Sequence, residues 1–192
     1  VTGRVLVSNF DSEYGWDDDF IELISSGINQ RRFGNSVDIY ENQIFVSNAQ
    51  NSLHLGTASI FVFQKKGSKW IAPENNAELI LPLLETTTDM PIATSEKYLV
   101  HSNPADKQIS IFKKEGEEWQ TKDKPDVIFN LSSQVNYRWE TDINSHHFVY
   151  TYDPQESIKG NEIHTYKTTD SFQDLNRLPD QVIPQTFISS AG

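Results

Sequence analysis

Five carboxylates crowd one short stretch near the start of the chain. The segment DSEYGWDDD (residues 11–19) holds Asp11, Glu13, Asp17, Asp18 and Asp19. Hard carboxylate oxygens at this density suit calcium, which takes about six to eight oxygen ligands. An EF-hand register counted from Asp11 places Glu22 at the twelfth position. The middle of that register fails. Gly15 falls fifth, where an oxygen ligand belongs, and Trp16 falls sixth, where glycine is needed. No helical period flanks the segment either. Asp11, Glu13, Asp17, Asp18 and Asp19 are therefore the calcium candidate, set against a solvated acidic turn, which is the favoured reading. Trp16 interrupts the cluster and is expected to turn one side of it towards the core.

Other chemistry-bearing residues form no constellation. The chain has five histidines, His54, His101, His146, His147 and His164. Neighbouring residues on a strand point to opposite faces, so His146 and His147 do not readily share one metal. Each histidine reads as a packing or surface residue. With no cysteine, disulfides, zinc–thiolate sites and thiol nucleophiles are excluded. No G-x-S-x-G elbow, phosphate-binding Gly loop or dinucleotide fingerprint occurs. No catalytic residue and no cofactor beyond the calcium candidate is assigned. Asn130-Leu131-Ser132 is an isolated glycosylation sequon.

Charge narrows the partners. Against 27 Asp and Glu stand 16 Lys and Arg, for a net charge of −11 and a pI near 4.8. That balance repels a phosphate backbone, and no Lys/Arg cluster offsets it, so nucleic acid is not an expected partner. No apolar run reaches the ~18 residues of a membrane-spanning helix. No signal-peptide pattern is present and the first residue is Val1, which suggests a mature, processed or excised piece.

The elements that hold these residues come from a repeat. FQKKGSKW (residues 63–70) and FKKEGEEW (residues 112–119) share an aromatic start, a lysine, a glycine and a final tryptophan, 49 positions apart. A third copy is YKTTDSF (residues 166–172), and a degenerate one is VSNFDSEYGW (residues 7–16). The anchors Trp16, Trp70, Trp119 and Phe172 are separated by 54, 49 and 53 residues. ISSGINQR (residues 24–31) and LSSQVNYR (residues 131–138) repeat over 107 residues, or two periods.

Alternating segments surround each copy. RVLVS, ASIFVF, QISIF and EIHTY precede the aromatic start; NQIFVSNA, EKYLVHSN and SHHFVYTY stand before those; AELILPL, DVIFNL and QVIPQTFI follow the anchor; and GNSVDIY, DMPIATS and RWETDIN open the fuller units. Four short alternating segments per fifty residues, with turn residues between them, predict four antiparallel strands per unit and less than about a tenth helix. Units of this kind are blades of a β-propeller. The expected fold is all-β, with about three and a half to four such blades, a partial or excised propeller. It forms one repeat domain over residues 1–192, with units at 1–30 (partial), 31–85, 86–133 and 134–190. A rival phase pairs VSNF (residues 7–10) with VSNA (residues 46–49). The motif glycine is expected to relax the turn between the third and fourth strands. The aromatic residues flanking it, Trp70 and Trp119 included, should pack between units.

The segment over residues 31–70 resembles a blade of the FG-GAP class, the repeats of integrin α-subunit propellers and many bacterial surface proteins. Phe33-Gly34 with Ser36-Val37 matches the FG half, and Val46-Ser47-Asn48-Ala49 stands where the GAP half belongs. The other units keep the strand pattern and lose the Phe-Gly. Blades of that class often carry a calcium loop between their first two strands. Here those turns are Tyr40-Glu41-Asn42, Thr94-Ser95-Glu96 and Asn144-Ser145-His146, too short and too poor in carboxylates, so the resemblance implies no calcium there. A sialidase-type Asp box, S-x-D-x-G-x-x-W, is only half present: Gly67 and Trp70, and Gly116 and Trp119, keep its end. Phe63 and Phe112 replace the serine, while Lys65 and Lys114 replace the aspartate. Arg4, Arg31, Arg32, Arg138 and Arg177 form no clear carboxylate clamp.

The resemblance implies a non-catalytic binding or adhesion module of an exported or cell-surface protein, located outside the cell, in a periplasm or on a cell surface. Loops on one propeller face would meet a protein or carbohydrate ligand, alongside further blades or domains of a larger parent chain. The alternative is a propeller-type hydrolase of glycans or another polymer.

Overall fold

The computed structural model describes residues 4–23, 33–48, 59–67, 69–71, 78–80, 91–103, 108–117, 119–120, 122, 124–130, 141–144, 147–152, 162–167 and 181–184. These residues form antiparallel β-sheets, with no helix among them. The chain divides into two compact units. The first comprises Val1–Met90 together with Trp119–Lys124, and the second comprises Pro91–Glu118 and Pro125–Gly192. The ISSGINQR and LSSQVNYR repeat and the Phe172 anchor lie outside the described residues.

In the first unit, β1 (Val5–Val7) pairs with β4 (Ile21–Leu23) through Val5↔Leu23. A small hairpin, β2 (Phe10–Asp11) and β3 (Gly15–Trp16), is inserted between them. A meander follows: β5 (Phe33–Tyr40), β6 (Gln43–Asn48) and β7 (Ser59–Lys66). The far edge of β7 has two partners. Its end pairs with β8 (Lys69–Ile71) and its start with β9 (Glu78–Ile80).

The second unit holds two sheets of identical order. One is β10 (Ile92–Thr94), β11 (Tyr98–Asn103), β12 (Gln108–Lys113) and β13 (Val127–Asn130). The other is β14 (Thr141–Ile143), β15 (His147–Tyr152), β16 (Glu162–Lys167) and β17 (Gln181–Pro184). The pairings Ile109↔Phe129 and Ile163↔Ile183 each join residues twenty apart. The sequence period is thus a repeat of pairing register. The first unit has a corresponding pair one residue closer along the chain, Ile60↔Leu79.

Period-two alternation explains how the sheets stack. Along β11, Tyr98 and Val100 point to one face and Leu99 and His101 to the other. Tyr98, Val100, Ala93, Ile109, Ile111 and Phe129 close over Ile143, Phe148 and Tyr166 of the following sheet. The Phe148 and Tyr166 rings, directly opposed across β15 and β16, stack at 6.2 Å. The first unit has the same construction. Val5 and Leu23 close over Phe33, Ile44, Val46 and Phe63. Phe63 is opposite Ile44 as Tyr166 is opposite Phe148. The aromatic start of the repeated motif, at Phe63 and Tyr166, therefore faces the sheet that precedes it in the chain. This is the packing role expected of a repeated aromatic residue.

The motif glycines occupy the turn assigned to them. Gly67 and Gly116 have φ of 63° and 67°, a left-handed conformation that residues with a Cβ rarely adopt. Gly34 is under a tighter constraint. Its φ is 85°, and a Cβ there would lie 3.1 Å from Val5 Cγ2 and 3.2 Å from the Arg4 carbonyl oxygen. The register between β5 and β6 shifts between Phe33 and Val37. Buried Ser47 secures that irregular stretch, its hydroxyl accepting from the Ser36 N–H at 2.9 Å and donating to the Ser36 carbonyl at 3.4 Å. Phe33-Gly34 and Ser47 thus act together, where β5 bulges and β1 approaches it. Gly34→Ala should lower stability by about 1–3 kcal/mol, read by urea denaturation. Gly15→Ala, at φ 84° but with nothing near its Cβ position, should cost only about 1 kcal/mol from backbone strain. Equal losses at the two sites would mean that β1 does not press on Gly34.

Candidate functional site

The hairpin carrying the acidic cluster is built from local interactions. The Asp11 carboxylate accepts the backbone N–H groups of Glu13 at 2.7 Å and Tyr14 at 3.1 Å, a turn that aspartate side chains favour. Gly15 completes it in the left-handed region. Phe10 and Trp16 pair across the two strands, with ring centroids 5.1 Å apart and planes at 62°. The Asp17 N–H donates to the Asn9 carbonyl at 2.9 Å, and the Ser8 hydroxyl to the Asp17 carbonyl at 2.9 Å. The root is tied to the next hairpin. Lys65 Nζ donates to Asn9 Oδ1 at 3.1 Å and also lies 5.7 Å from the centre of the Trp70 ring, within cation–π range.

This construction leaves the aromatic side chains outside. Tyr14 is 82% exposed, Trp16 69%, and Phe10 and Phe20 63% each. The expectation that Trp16 turns one side of the acidic cluster towards the core is overturned. The reason is geometric. Segments 8–9 and 17–20 separate the hairpin from the β1–β4 ladder, so it projects beyond its sheet. Strand β8, by contrast, continues along the edge of β7, and Trp70 is half-buried against the Val5–Phe63 cluster. Trp119 is buried, edge-on to Phe45 at 5.6 Å and 86°. One motif position thus meets three environments.

Asp11, Glu13, Asp17, Asp18 and Asp19 are all exposed residues. The Asp11 carboxylate is engaged by its own turn, and Glu22 approaches Arg4 Nε at 3.4 Å. Among the described residues, no three His, Cys, Asp or Glu side chains are grouped to hold a metal ion. Exposure lets the like charges be screened by salt. Millimolar calcium, compared with chelator, is accordingly expected to leave the melting temperature unchanged. A rise of several degrees, lost in Asp17→Asn with Asp19→Asn, would identify a cation site.

The histidines divide by environment. His147 is exposed, and its backbone N–H donates to Asn144 Oδ1 at 2.7 Å; His164 is half-buried. His54 and His146 lie outside the described residues. His101 is buried, its Nε2 has no hydrogen-bond partner, and burial lowers its pKa from 6.5 to about 4. It is a neutral core residue. Its place in YLVHSN matches Val46 in QIFVSN, each three places past the first residue of its strand. That alignment was the available signal that His101 occupies an apolar position.

Chemically, the hairpin offers π faces and apolar edges beside carboxylates, all reachable from solvent. Such a surface can hold a ligand by stacking, cation–π attraction and hydrogen bonds to carboxylates. No family model matches the chain, and neither a curated protein nor a solved structure matches it.

Proposed function

We propose that the chain is a non-catalytic binding module of an exported or cell-surface protein, built from propeller-type blades of the FG-GAP kind. The β2–β3 hairpin supplies part of its recognition surface. One observation carries the binding role. Among the residues whose side-chain exposure is described, every exposed aromatic lies between positions 10 and 20, and the other aromatics of that set are buried or half-buried. Clustered exposed apolar surface marks an interaction site more often than scattered exposure does. The propeller reading is supported by the repeated four-strand register and by the same-face stacking of successive sheets within each unit. The FG-GAP reading is supported by the bulge that Phe33, Gly34 and Ser47 build together.

The test is binding of the full chain to arrays of proteins, peptides and glycans, beside a Phe10→Ser, Trp16→Ser variant. Retained ligands should be lost by the variant, with circular dichroism and melting temperature unchanged. Undiminished binding by the variant would remove the hairpin from the site. Hydrolysis of a retained glycan, seen as new reducing ends, would replace the binding module with an enzyme.

A further inference from the structure

The second hairpin, β7–β8, shows a contact that the first hairpin lacks. In β7–β8 the residue paired with Trp70 is Lys65, whose Nζ sits over the indole ring and is steadied by Asn9 Oδ1. In β2–β3 the residue paired with Trp16 is Phe10, which brings no charge. The Trp16 and Tyr14 side chains are more than two-thirds exposed. They stand in a stretch that supplies five exposed acidic residues, Asp11, Glu13, Asp17, Asp18 and Asp19.

We propose that this hairpin docks a basic, extended segment of a partner protein. Lys or Arg side chains would lie over the Trp16 and Tyr14 rings, with their cationic heads among the carboxylates. The proposal rests on the binding-module reading and adds the chemical class of the partner. Charge complementarity selects that class. A cation gains from both the ring face and the carboxylates, and long Lys and Arg stems cover apolar surface while the head stays polar. A second copy of this chain is disfavoured as occupant. It would bring the same five acidic residues and a net charge of −11 against the first copy. A neutral glycan would stack on the ring faces and donate hydroxyl hydrogen bonds to the carboxylates, but would leave their negative charge uncompensated.

The experiment uses the full chain and a fluorescent Lys/Arg-rich peptide, with a matched peptide carrying Gln at every Lys and Arg. Anisotropy titration should show the basic peptide binding at least about tenfold more tightly than the Gln peptide. Affinity should fall as salt rises from about 50 to about 300 mM. Phe10→Ser with Trp16→Ser should weaken binding at least about tenfold, as should Asp17→Asn with Asp18→Asn and Asp19→Asn. Tyr14→Ser, a single change at the most exposed ring, should weaken it by a smaller factor while the melting temperature stays that of the wild type. Ile128→Ser, at an exposed apolar residue of the second unit, should change nothing.

Any of four outcomes would overturn the proposal. The chain could fail to distinguish the two peptides. The aspartate variant could lose binding while both aromatic variants keep it, which is unspecific attraction to a polyanion. Or the aromatic substitutions could abolish self-association instead, making the occupant a second copy. A neutral glycan retained by the wild type and lost by the Phe10, Trp16 variant would leave the binding module standing and remove only the basic partner.

Discussion

Replacing Trp119 with Ala is expected to lower the unfolding free energy by about 3–5 kcal/mol, the range for a large aromatic residue removed from a core. Trp119 is only 6% exposed and packs edge-on against Phe45, which is itself fully buried. Its truncation therefore removes a large buried area and leaves a cavity beside an intact ring. Trp70→Ala should cost less, because that side chain is half-buried at the margin of its cluster. Trp16→Ala should fall within about 0.5 kcal/mol, as surface substitutions usually do. The series Trp119, Trp70, Trp16 is thus a graded test of one motif position in three environments. A conservative variant sharpens it. The Trp119 indole N–H is buried without a hydrogen-bond partner, an arrangement that itself costs about 1–3 kcal/mol. Trp119→Phe removes that donor and keeps much of the packing, so its loss should be far smaller than that of Trp119→Ala. Urea denaturation of the four variants measures all of this. A loss within ~0.5 kcal/mol for Trp119→Ala would show that Trp119 is not a core residue.

Stability should also fall on mild acidification, by about 3 kcal/mol from His101 alone. Burial lowers the folded-state pKa of His101 from 6.5 to about 4. Above pH 6.5 the imidazole is neutral in both folded and unfolded chains, and the contribution to stability is fully present. Between pH 6.5 and about 4 the unfolded chain takes up a proton that the folded chain refuses, so protonation favours unfolding. Below about pH 4 both states are protonated and the loss levels off. The His101→Val variant carries the residue that β6 has at the corresponding place, Val46, and should lack this component. Subtracting its stability-versus-pH curve from that of the wild type cancels the carboxylates common to both. The difference should rise through the window from pH 4 to 6.5. A flat difference would mean that His101 is hydrated or otherwise able to charge in place.

Strands and turns were legible in the sequence because their causes are local. Period-two alternation in IFVSN and YLVHSN, and a glycine between two aromatic positions, act over a few residues, and β6, β11, Gly67 and Gly116 appear where those patterns stand. The fifty-residue period was equally legible, since equal spacing of equal strings requires equal pairing, as Ile109↔Phe129 and Ile163↔Ile183 record. Burial was not legible in the same way. Gly67-x-x-Trp70 and Gly116-x-x-Trp119 read alike, and Gly15-Trp16 is their degenerate counterpart, yet only Trp119 is buried, because burial depends on whether a second layer lies over the ring. Strand β8 lies along a sheet edge beside such a layer, and the β2–β3 hairpin projects past its own. The acidic cluster suffered the same ambiguity. Composition placed five carboxylates together, while backbone geometry decided that Asp11 caps its own turn and that the aromatic residues among them face solvent. His101 completes the contrast. Alternation assigned it a strand position, but only the packing of both faces of β11 made that position dry. By itself, then, the sequence determined strand, turn and repeat, which depend on near neighbours along the chain. The tertiary structure decided exposure, and with it the candidate surface, because a layer supplied by distant residues either covers a side chain or leaves it to water.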